Sequence, residues 1–245
     1  MKFLQWNIWY KEDVHNVLSF VKESGADIVC LQELTVNHPD FNQEIDAPKI
    51  IAEGLGFEYF YTPAVKSIVN GRKREFGNGI FTRYPIVGSR SIFIQDPPKS
   101  DNLDYSKEGR AYVEVTLETS EGELTVGTTH MSYTDKFEST PAKEVETNRL
   151  LALLKEKKEK FLFSGDLNAL PDSYTVNEIS KVLKNCGPAV SKNTWTTKPF
   201  SYNQFDANTL DWRIDYCFAT SDVYIKSANV INTNFSDHLP ILVEM

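Results

Sequence analysis

The sequence has few cysteines and no long apolar run. Its three cysteines are an odd number, and Cys30 and Cys217 lie inside apolar runs, where cysteine usually behaves as a small buried hydrophobic residue. This pattern argues against a disulfide framework. Apolar runs such as 28–31 have the length of a strand and are too short for a signal peptide or a membrane span. We therefore expect a soluble, cytoplasmic protein without stable membrane association.

Positive charge is in deficit, because Asp and Glu outnumber Lys and Arg by 34 to 26 and the net charge is -8. Proteins that follow a long nucleic-acid backbone normally present a basic face. The acidic balance disfavours a processive, high-affinity DNA-binding protein, although a local basic patch would not show in the total. Repeats, low-complexity tracts and Pro/Gly/Ser-rich linkers are also absent. Residues 1–245 are predicted to form a single domain, and we predict no obligate protein partner.

Hydrophobic residues make up 41% of the chain, which is enough for a sizeable core. Strand-like and helix-like segments are mixed along the chain, and this predicts sheets with helices packed outside them. Helices are predicted at 12–24, 141–158 and 174–183, and the second should bury Val145, Leu150, Leu151 and Leu154. Long polar loops are predicted at 37–47, 65–78, 95–109 and 191–210. Strands are predicted at 2–8, 27–34, 59–63, 79–83, 111–118, 124–129, 161–164, 213–219 and 240–245.

Several of the apolar strand runs end in a polar residue that has no evident structural task. Carboxylates are rarely buried unless they are paired or bind a metal ion. If these strand ends meet, their oxygens would form a site for Mg²⁺ or Mn²⁺, with water or substrate oxygens as the remaining ligands. The residues at or beside these strand ends are Asn7, Glu33, His130, Asp166, Asn168, Asp215, Asp237 and His238.

Each of these residues also has an ordinary structural interpretation. Asn7 could cap a turn, and Glu33 could be solvated beyond the end of a strand. The segment 164–168 could be a simple turn, since Gly, Asp and Asn all favour turns. Asp215 could pair with Arg213 at the surface, and His130 could be a satisfied core histidine. Only the occurrence of all of them in one chain makes a functional interpretation the better one.

Short strings carry these residues in a characteristic order. Each string is brief, but several of them in the right order are specific, and the matches extend over residues 3–243. With 79–85 and Thr129-His130-Met131 they resemble the motifs of the endonuclease/exonuclease/phosphatase superfamily, the group of deoxyribonuclease I. The principal strings are Gln5-Trp6-Asn7-Ile8, Leu31-Gln32-Glu33, Gly165-Asp166-Leu167-Asn168, Arg213-Ile214-Asp215-Tyr216 and Ser236-Asp237-His238-Leu239-Pro240.

The resemblance implies an α/β fold, a four-layered α/β/β/α sandwich of two packed, mainly antiparallel sheets with outer helices. It implies a site at one edge of the sheets and a divalent-metal-dependent hydrolase of phosphate esters. In the family's pattern, Glu33 corresponds to the principal metal ligand, with Asn7 and Asp237 beside the metal. Asp215 corresponds to the carboxylate that orients His238.

The resemblance further assigns Asp166 and Asn168 to alignment of the water and the phosphate, and His130 to support of the developing charge. These residue types suit phosphoryl transfer, which mainly requires positioning and neutralisation of charge at the phosphate oxygens. His238 could act as a base or as a cationic hydrogen-bond donor to phosphate. The sequence leaves Asp166 and His238 as alternatives for the general base.

The sequence leaves two classes of substrate as candidates, small phosphate mono- or diesters and nucleic acid. Lipid head groups are disfavoured, since no basic amphipathic helix is evident. We predict substrate contacts at Arg83, Tyr133, Trp195 and Arg213, and the dipeptide Thr194-Trp195 resembles an element near the substrate in some family members. Aromatic residues in the loops could stack on a base, or they could pack the loops down.

Two further alternatives concern function. The first is a nuclease or DNA-repair phosphodiesterase that acts on single-stranded or damaged nucleic acid. The basic run at 66–74 beside Phe76 could grip a phosphate backbone, but Asn70-Gly71 is typical of a hairpin turn with a solvated, charged tip. The second alternative is a catalytically inactive binding module, which the presence of every expected site residue disfavours.

Overall fold

The computed structural model describes residues 1–38, 44–69, 71–98 and 107–245. Among the described residues, β-strands hold more residues than helices do. The strands are β1 (Lys2–Asn7), β2 (Ile28–Val36), β3 (Glu58–Val69), β4 (Arg72–Thr82), β5 (Ile86–Gln95), β6 (Arg110–Thr119), β7 (Gly122–His130), β8 (Phe161–Asp166), β9 (Lys184–Asn185), β10 (Phe200–Tyr202), β11 (Phe205–Ala207), β12 (Asp215–Ala219), β13 (Ser227–Val230) and β14 (Ile241–Glu244).

The helices begin and end at residues that suit those positions. In each α-helix, a side chain just before the first turn accepts a hydrogen bond from a backbone N–H of that turn, as Thr140 does from Lys143 N. Two helices end at a glycine in the left-handed conformation, Gly25 and Gly56. The helices are α1 (Val14–Ser24), α2 (Ala47–Leu55), α3 (Pro141–Leu154) and α4 (Tyr174–Ser180), with a 3-10 turn at Asp135–Phe137.

The strands form two six-stranded sheets and a small hairpin. The first sheet has the order β13-β14-β1-β2-β4-β3, the second has the order β5-β6-β7-β8-β12-β9, and β10 pairs with β11. Within each large sheet one pairing is parallel, β1 with β2 and β7 with β8, and the other pairings are antiparallel. These two mixed sheets with outer helices confirm the α/β sandwich that the motifs predicted.

Three apolar clusters separate the layers. Between the sheets, residues such as Phe3 and Ile80 meet Val113 and Val126 of the other sheet. On the outer side of the first sheet, the cluster of Leu4 and Trp6 includes residues of α1 and α2. On the outer side of the second sheet, the cluster of Phe161 and Phe163 includes residues of α3 and α4. Burial of both faces of central strands such as β8 explains why strand runs such as 161–163 are continuously apolar.

Some elements differ from the predictions. Within the predicted loop 65–78, residues 65–69 lie in β3 and residues 72–78 lie in β4, and the pairing of these strands extends to Val69 and Arg72. Charged side chains are compatible with a ribbon that faces solvent, so its sequence does not look like a buried strand. In the predicted turn, Asn70 lies outside the described residues and Gly71 has φ 76°. The basic run is partly neutralised, since Lys73 Nζ lies 2.7 Å from a Glu75 carboxylate oxygen.

On the inward face of α3, burial of Leu150, Leu151 and Leu154 is confirmed, but burial of Val145 was predicted incorrectly. Val145 is 56% exposed, whereas Lys143, Glu146 and Thr147 are buried together with Leu150. The first two turns of α3 therefore bury polar groups, and apolar periodicity misses such a face. The helix α2 and the strands β5, β9 and β13 had no counterpart among the predicted elements, and the hairpin of β10 and β11 lies inside the predicted loop 191–210. In the described segments of the chain, no helix combines the length and the apolar composition needed to cross a membrane.

Candidate active site

Strand pairing brings the polar strand ends to one edge of the sandwich. In the first sheet the parallel pair β1 and β2 places Asn7 beside Gln32. In the second sheet the parallel pair β7 and β8 places His130 beside Asp166. The strand β12 runs antiparallel to β8 and begins at Asp215, opposite Asp166. Since parallel strands end at the same edge and an antiparallel neighbour starts there, these side chains meet.

A β-bulge positions Glu33. The register of β2 against β4 shifts between Leu31 and Leu34, and Glu33 has φ 61°. A left-handed conformation is strained for glutamate, and bulges near functional sites commonly redirect a side chain. Glu33 Oε1 accepts from Asn7 Nδ2 at 3.1 Å, and Oε2 accepts from Tyr10 N at 3.0 Å. The bulge therefore turns the carboxylate of Glu33 toward the end of β1.

Asn7 connects the two sheets. Its Nδ2 also donates to Asp166 Oδ2 at 3.0 Å, and its Oδ1 accepts from Trp9 N at 3.1 Å. Asn7 is fully buried, and Asp166 is 1% exposed. One amide group thus lies between a carboxylate of the first sheet and a carboxylate of the second.

The segment 236–238 adds a histidine to this cluster. His238 Nδ1 lies 2.8 Å from Asp215 Oδ2, and its Nε2 lies 3.6 Å from Asp166 Oδ2. Ser236 Oγ donates to Asn7 O at 2.7 Å and accepts from His238 N at 3.0 Å. Ser236 was not among the predicted site residues, although it begins one of the strings on which the prediction rested. Its hydroxyl fixes the histidine backbone against the end of β1.

Asp237 is positioned by Trp195. The indole Nε1 donates to Asp237 Oδ2 at 3.1 Å. Trp195 is 3% exposed, and its ring centroid lies 5.2 Å from that of Phe137 and 5.1 Å from that of Phe200. The tryptophan that was predicted to contact substrate therefore packs in an aromatic cluster and holds a carboxylate.

His130 and Asn168 form a second pair beside Asp166. Asn168 Nδ2 lies 3.1 Å from His130 Nε2 and donates to Met131 O at 3.0 Å. Asp166 Oδ1 accepts from Asn168 N at 2.9 Å, and Asn168 adopts φ 45°. His130 Nε2 also lies 3.4 Å from Asp166 Oδ2, so this ring nitrogen, and not Nδ1, faces the carboxylate cluster. Among the described residues that Nδ1 has no hydrogen-bond partner.

Burial raises the pKa values of the carboxyl groups in this cluster. The pKa of Asp166 rises to about 6 because burial penalises the charged form, and the negative charge of Asp215 adds to the effect. Burial also raises the pKa of Asp237 to about 6, with a further contribution from Glu33. The pKa of Glu33 is raised for the same first reason. The cluster therefore holds more negative charge than its own hydrogen bonds compensate.

The surroundings shift the pKa values of His238 and His130 in opposite directions. Burial alone would lower the pKa of His238, but Asp215, Asp237 and Asp166 together raise it to about 10, so this imidazole is protonated at neutral pH. Burial lowers the pKa of His130 well below its ordinary value, and the positive charges of Arg110 and His238 add to this. His238 is a cationic donor in this arrangement, and His130 is a neutral imidazole.

The carboxylates of the cluster are of a chemical type that binds divalent cations. Asp166, Asp215 and His238 each offer a ligand atom within 4.8 Å of the others. A protonated His238 cannot bind a metal ion, however, and its Nδ1 is engaged by Asp215. The carboxylates of Glu33, Asp166 and Asp237 are hard oxygen ligands of the type that Mg²⁺ and Mn²⁺ prefer. A positive charge among them would compensate the burial that raises their pKa values.

Three predicted substrate contacts lie elsewhere. Arg83 pairs with Asp27 at 2.9 Å, at the end of β2 that is remote from Glu33. Arg213 is 2% exposed, and its guanidinium donates to the carbonyl oxygens of Lys192 and Pro188, so it anchors the segment 188–192. Tyr133 packs against aromatic rings of the Trp195 cluster. The structure does not bring these three side chains into the carboxylate cluster.

Aromatic and basic side chains line the rim of the cluster. Trp9 follows β1, and the ammonium groups of Lys11 and Lys198 lie 5.8 Å and 6.0 Å from the centroid of its ring. Phe76 of β4 lies 6.2 Å from the ring of Tyr10 and 6.4 Å from that of His130, measured between centroids. This rim could contact the part of a substrate that extends beyond the reacting phosphate.

Comparisons with known proteins agree with this geometry. The sequence model described as the Endonuclease/Exonuclease/phosphatase family matches residues 4–238. Among curated protein sequences, none matches the chain. A solved endonuclease/exonuclease/phosphatase from Beutenbergia cavernae DSM 12333 is 22% identical, with a TM-score of 0.72, over 99% of this chain and 70% of that chain.

Two further solved structures with a similar fold are a bacterial phosphatase and a human catalytic domain. The mannosyl-6-phosphatase of Bacteroides thetaiotaomicron VPI-5482 is 17% identical, with a TM-score of 0.72, over 100% of this chain and 98% of that chain. The catalytic domain of human Nocturnin, with a bound sulfate anion, is 19% identical, with a TM-score of 0.71, over 99% of this chain and 93% of that chain. At these identities the similarity is one of fold.

Proposed function

The chain belongs to the endonuclease/exonuclease/phosphatase family, and on this basis we propose that it hydrolyses a phosphate ester, most readily a phosphodiester, with a bound Mg²⁺ or Mn²⁺. The family consists of phosphoesterase and nuclease hydrolases that generally depend on divalent metal ions. The observation that carries the proposal is the group of buried carboxylates with raised pKa values around a protonated histidine. Such a group suits a cation together with an anionic substrate.

In the proposed reaction, Glu33 would hold the cation, with Asn7 and Asp237 beside it. A divalent cation bound there would supply positive charge. This charge would polarise a phosphate oxygen and reduce the repulsion between the anionic phosphate and the attacking nucleophile. Asp237 is held for this task by Trp195, and Glu33 by Asn7 and by the backbone of Tyr10. These contacts fix the carboxylates in advance, which lowers the cost of organising the site.

Asp166 is the general base in this proposal, and His238 is the electrostatic donor. A base is most effective when its pKa lies near the working pH, and burial raises the pKa of Asp166 to about 6. His238 is unsuited to that role because its pKa of about 10 keeps it protonated. Asp215 holds the imidazolium of His238 in place. The Nε2–H of His238 can then donate to a phosphate oxygen as charge develops there.

Asn168 and His130 have different tasks. The amide hydrogens of Asn168 are directed to Met131 O and His130 Nε2, so we assign Asn168 to the orientation of His130 rather than to the phosphate. Because His130 Nε2 lies 3.4 Å from Asp166 Oδ2 and 3.1 Å from Asn168 Nδ2, we assign His130 to the support of these two residues beside the phosphate. This assignment differs from the family-based expectation, in which Asn168 itself aligned the phosphate.

The decisive experiment is hydrolysis of bis-p-nitrophenyl phosphate by the purified protein. We expect turnover with Mg²⁺ or Mn²⁺, loss of turnover in excess chelator, and recovery when the cation is restored. Addition of Mg²⁺ or Mn²⁺ should also raise the melting temperature of the wild-type protein, since ligands that bind only the folded state stabilise it. Glu33→Gln should lack most of this rise. Turnover that is indifferent to chelator would refute the metal-dependent proposal.

A nuclease or DNA-repair phosphodiesterase is the second candidate, and the rim favours it. Trp9 offers a ring for stacking of a base, and Lys11 and Lys198 lie within reach of a neighbouring phosphate. The net charge of -8 argues against a long DNA track, so a short single-stranded or damaged substrate fits better.

A panel of substrates separates the candidates. It should compare single-stranded DNA and RNA, abasic DNA and 5′-tyrosyl DNA with small sugar and nucleotide phosphates and with sphingomyelin. Preference for a nucleic acid, lost in Trp9→Ala, would support the second candidate. Absence of turnover on every substrate, with intact cation binding, would favour a catalytically inactive binding module.

A further inference from the structure

Two oppositely charged side chains are buried together beneath the cluster, on the first turns of α3. Lys143 is 2% exposed and Glu146 is 1% exposed. The Lys143 Nζ and Glu146 Oε2 atoms are 3.9 Å apart, at positions i and i+3 of the helix. Burial lowers the pKa of Lys143 to about 8, which leaves it protonated at neutral pH. Neither residue was among the predicted site residues.

The polar groups of this pair reach two different loops. Lys143 Nζ donates to Ser132 O at 2.5 Å and to Leu167 O at 2.7 Å. Glu146 accepts from Ser132 N at 3.0 Å and from Ser132 Oγ. Ser132 belongs to the segment that follows β7, and Leu167 belongs to the segment that follows β8. A single ammonium group therefore joins the chain beyond two neighbouring strand ends.

These two segments carry site residues. Ser132 follows His130 by two residues, and Leu167 stands between Asp166 and Asn168. The segments also bond to each other directly, since Met131 N donates to Asp166 O at 2.9 Å and Asn168 Nδ2 donates to Met131 O at 3.0 Å. Lys143 completes this arrangement from the side opposite the carboxylate cluster, because α3 packs on the outer face of the second sheet.

We propose that Lys143 and Glu146 are positioning residues that hold the segments after β7 and β8 in the relative placement that orients His130 and Asn168. The proposal rests on the proposed function for its catalytic consequence. Lys143 acts through the two carbonyl groups and does not contact the reacting atoms. Glu146 fixes Ser132 and compensates part of the ammonium charge.

The energetics of burial favour a specific role over a general stabilising one. Taking two charges out of water is costly, and well-packed apolar residues can often replace a buried ion pair with no loss of stability. Later turns of α3 pack against the second sheet through Leu150, Leu151 and Leu154. Apolar side chains can therefore fill this face of the helix. What an apolar side chain cannot do is donate to Ser132 O and Leu167 O at once.

The test compares Lys143→Met with wild-type protein in turnover and in the side-chain amide signals of Asn168 in a ¹H–¹⁵N spectrum. We expect kcat to fall about 10- to 100-fold with little change in KM, because a displacement of catalytic groups by about 1 Å can cost that much. The Asn168 amide signals should shift, since their hydrogen bonds to Met131 O and His130 depend on the segment placement. Wild-type kcat and unshifted amide signals in the folded variant would overturn the proposal.

Two further variants make the result interpretable. Leu150→Ala lies on the same helix, is fully buried and should lower the melting temperature without moving the Asn168 signals. An equal loss of kcat in Leu150→Ala at temperatures where it is folded would overturn the proposal. Lys143→Met/Glu146→Gln leaves no unpaired buried charge, so it should fold even if Lys143→Met does not, and it should reproduce the loss. If the wild-type protein hydrolyses nothing, the proposed function fails, and the amide signals alone then decide whether the pair positions the segments.

Discussion

Glu114 and Asp166 are both buried carboxylates on strands of the second sheet, and their surroundings differ. Glu114 is 6% exposed, with Lys157 Nζ at 2.6 Å, Arg90 Nε at 2.9 Å and the hydroxyl of Tyr112 as a further donor. Burial alone would raise its pKa, but these partners lower the pKa of Glu114 below its ordinary value. Its charge is therefore compensated within the protein.

Asp166 receives its direct hydrogen bonds from the uncharged groups Asn7 Nδ2 and Asn168 N. The imidazolium of His238 is 3.6 Å away and is shared with Asp215 and Asp237. Burial therefore dominates, and the pKa of Asp166 rises to about 6. The comparison teaches that burial of a carboxylate does not by itself indicate function. An incomplete set of cationic partners does, because it leaves the site ready for a cation and a proton.

The largest loss of turnover is expected when a charged side chain of the carboxylate cluster is removed. Asp166→Ala, Glu33→Ala and His238→Ala should each lower turnover of bis-p-nitrophenyl phosphate by about 10²- to 10⁴-fold, since each removes a proton acceptor, a cation ligand or a charged donor. Initial rates at saturating cation measure this.

The matched control is the compensated carboxylate. Glu114→Gln should stay within a few-fold of wild-type turnover, although it loses stability. A near-normal rate in any of the three alanine variants would remove that residue from the mechanism. A loss in Glu114→Gln as large as in Asp166→Ala would contradict the distinction between the two carboxylates.

The sequence predicted the members of this cluster better than their roles. Apolar runs that end at Asn7, His130 and Asp166 follow from strand periodicity, and parallel pairing then brings their ends together. The conformation of Glu33 depends on a bulge with a positive φ, which a period of two residues does not reveal. The roles of Asp166 and His238 separate only when burial and the neighbouring charges are known.

Other residues were missed because their chemistry is not local in sequence. Lys143 and Glu146 interrupt the apolar face of α3, so the helical pattern was fitted to Val145 instead. A spacing of i and i+3 between opposite charges, in line with Leu150, was the available signal. Arg213 stands beside Asp215 in the chain, but its guanidinium reaches carbonyl groups of the segment 188–192, which no motif indicates.

A second difference between the two carboxylates should appear in the pH dependence of stability. Because the folded-state pKa values of Asp166 and Asp237 are raised from 3.8 to about 6, their favourable contribution is complete below pH 4 and is lost as pH rises through 6. The contribution of His238, whose pKa is about 10, stays complete up to pH 6.5, so it does not mask this loss. In cation-free buffer the free energy of unfolding should therefore fall between about pH 4 and pH 6.

Substitution of a single group tests this expectation. Asp237→Asn should raise the free energy of unfolding at pH 7 by about 1–3 kcal/mol in chelator, since the neutral amide removes a buried charge. It should also reduce the slope of the free energy between about pH 4 and pH 6. Glu114→Gln should lower the free energy of unfolding at pH 7, because Lys157 and Arg90 then lose their anionic partner. Urea titrations at several pH values measure both. A destabilised Asp237→Asn would mean that its charge is already compensated.

The smallest effect is expected from the hydrogen bond that holds Asp237. Trp195→Phe keeps an aromatic ring against Phe137 and removes the Nε1–H donor. We expect turnover at saturating cation to fall less than about tenfold, with a higher cation concentration for half-maximal activity. The bond contributes about 1.5–3 kcal/mol at most, and its loss should mainly weaken cation binding, because it orients a proposed cation ligand. Trp212→Phe is the matched control, since its ring lies 5.3 Å from that of Phe137 in the same aromatic cluster. An unchanged cation requirement in Trp195→Phe, or an equal change in Trp212→Phe, would show that the indole of Trp195 contributes packing alone. The hydrogen bond from Trp195 would then not be what holds the carboxylate of Asp237.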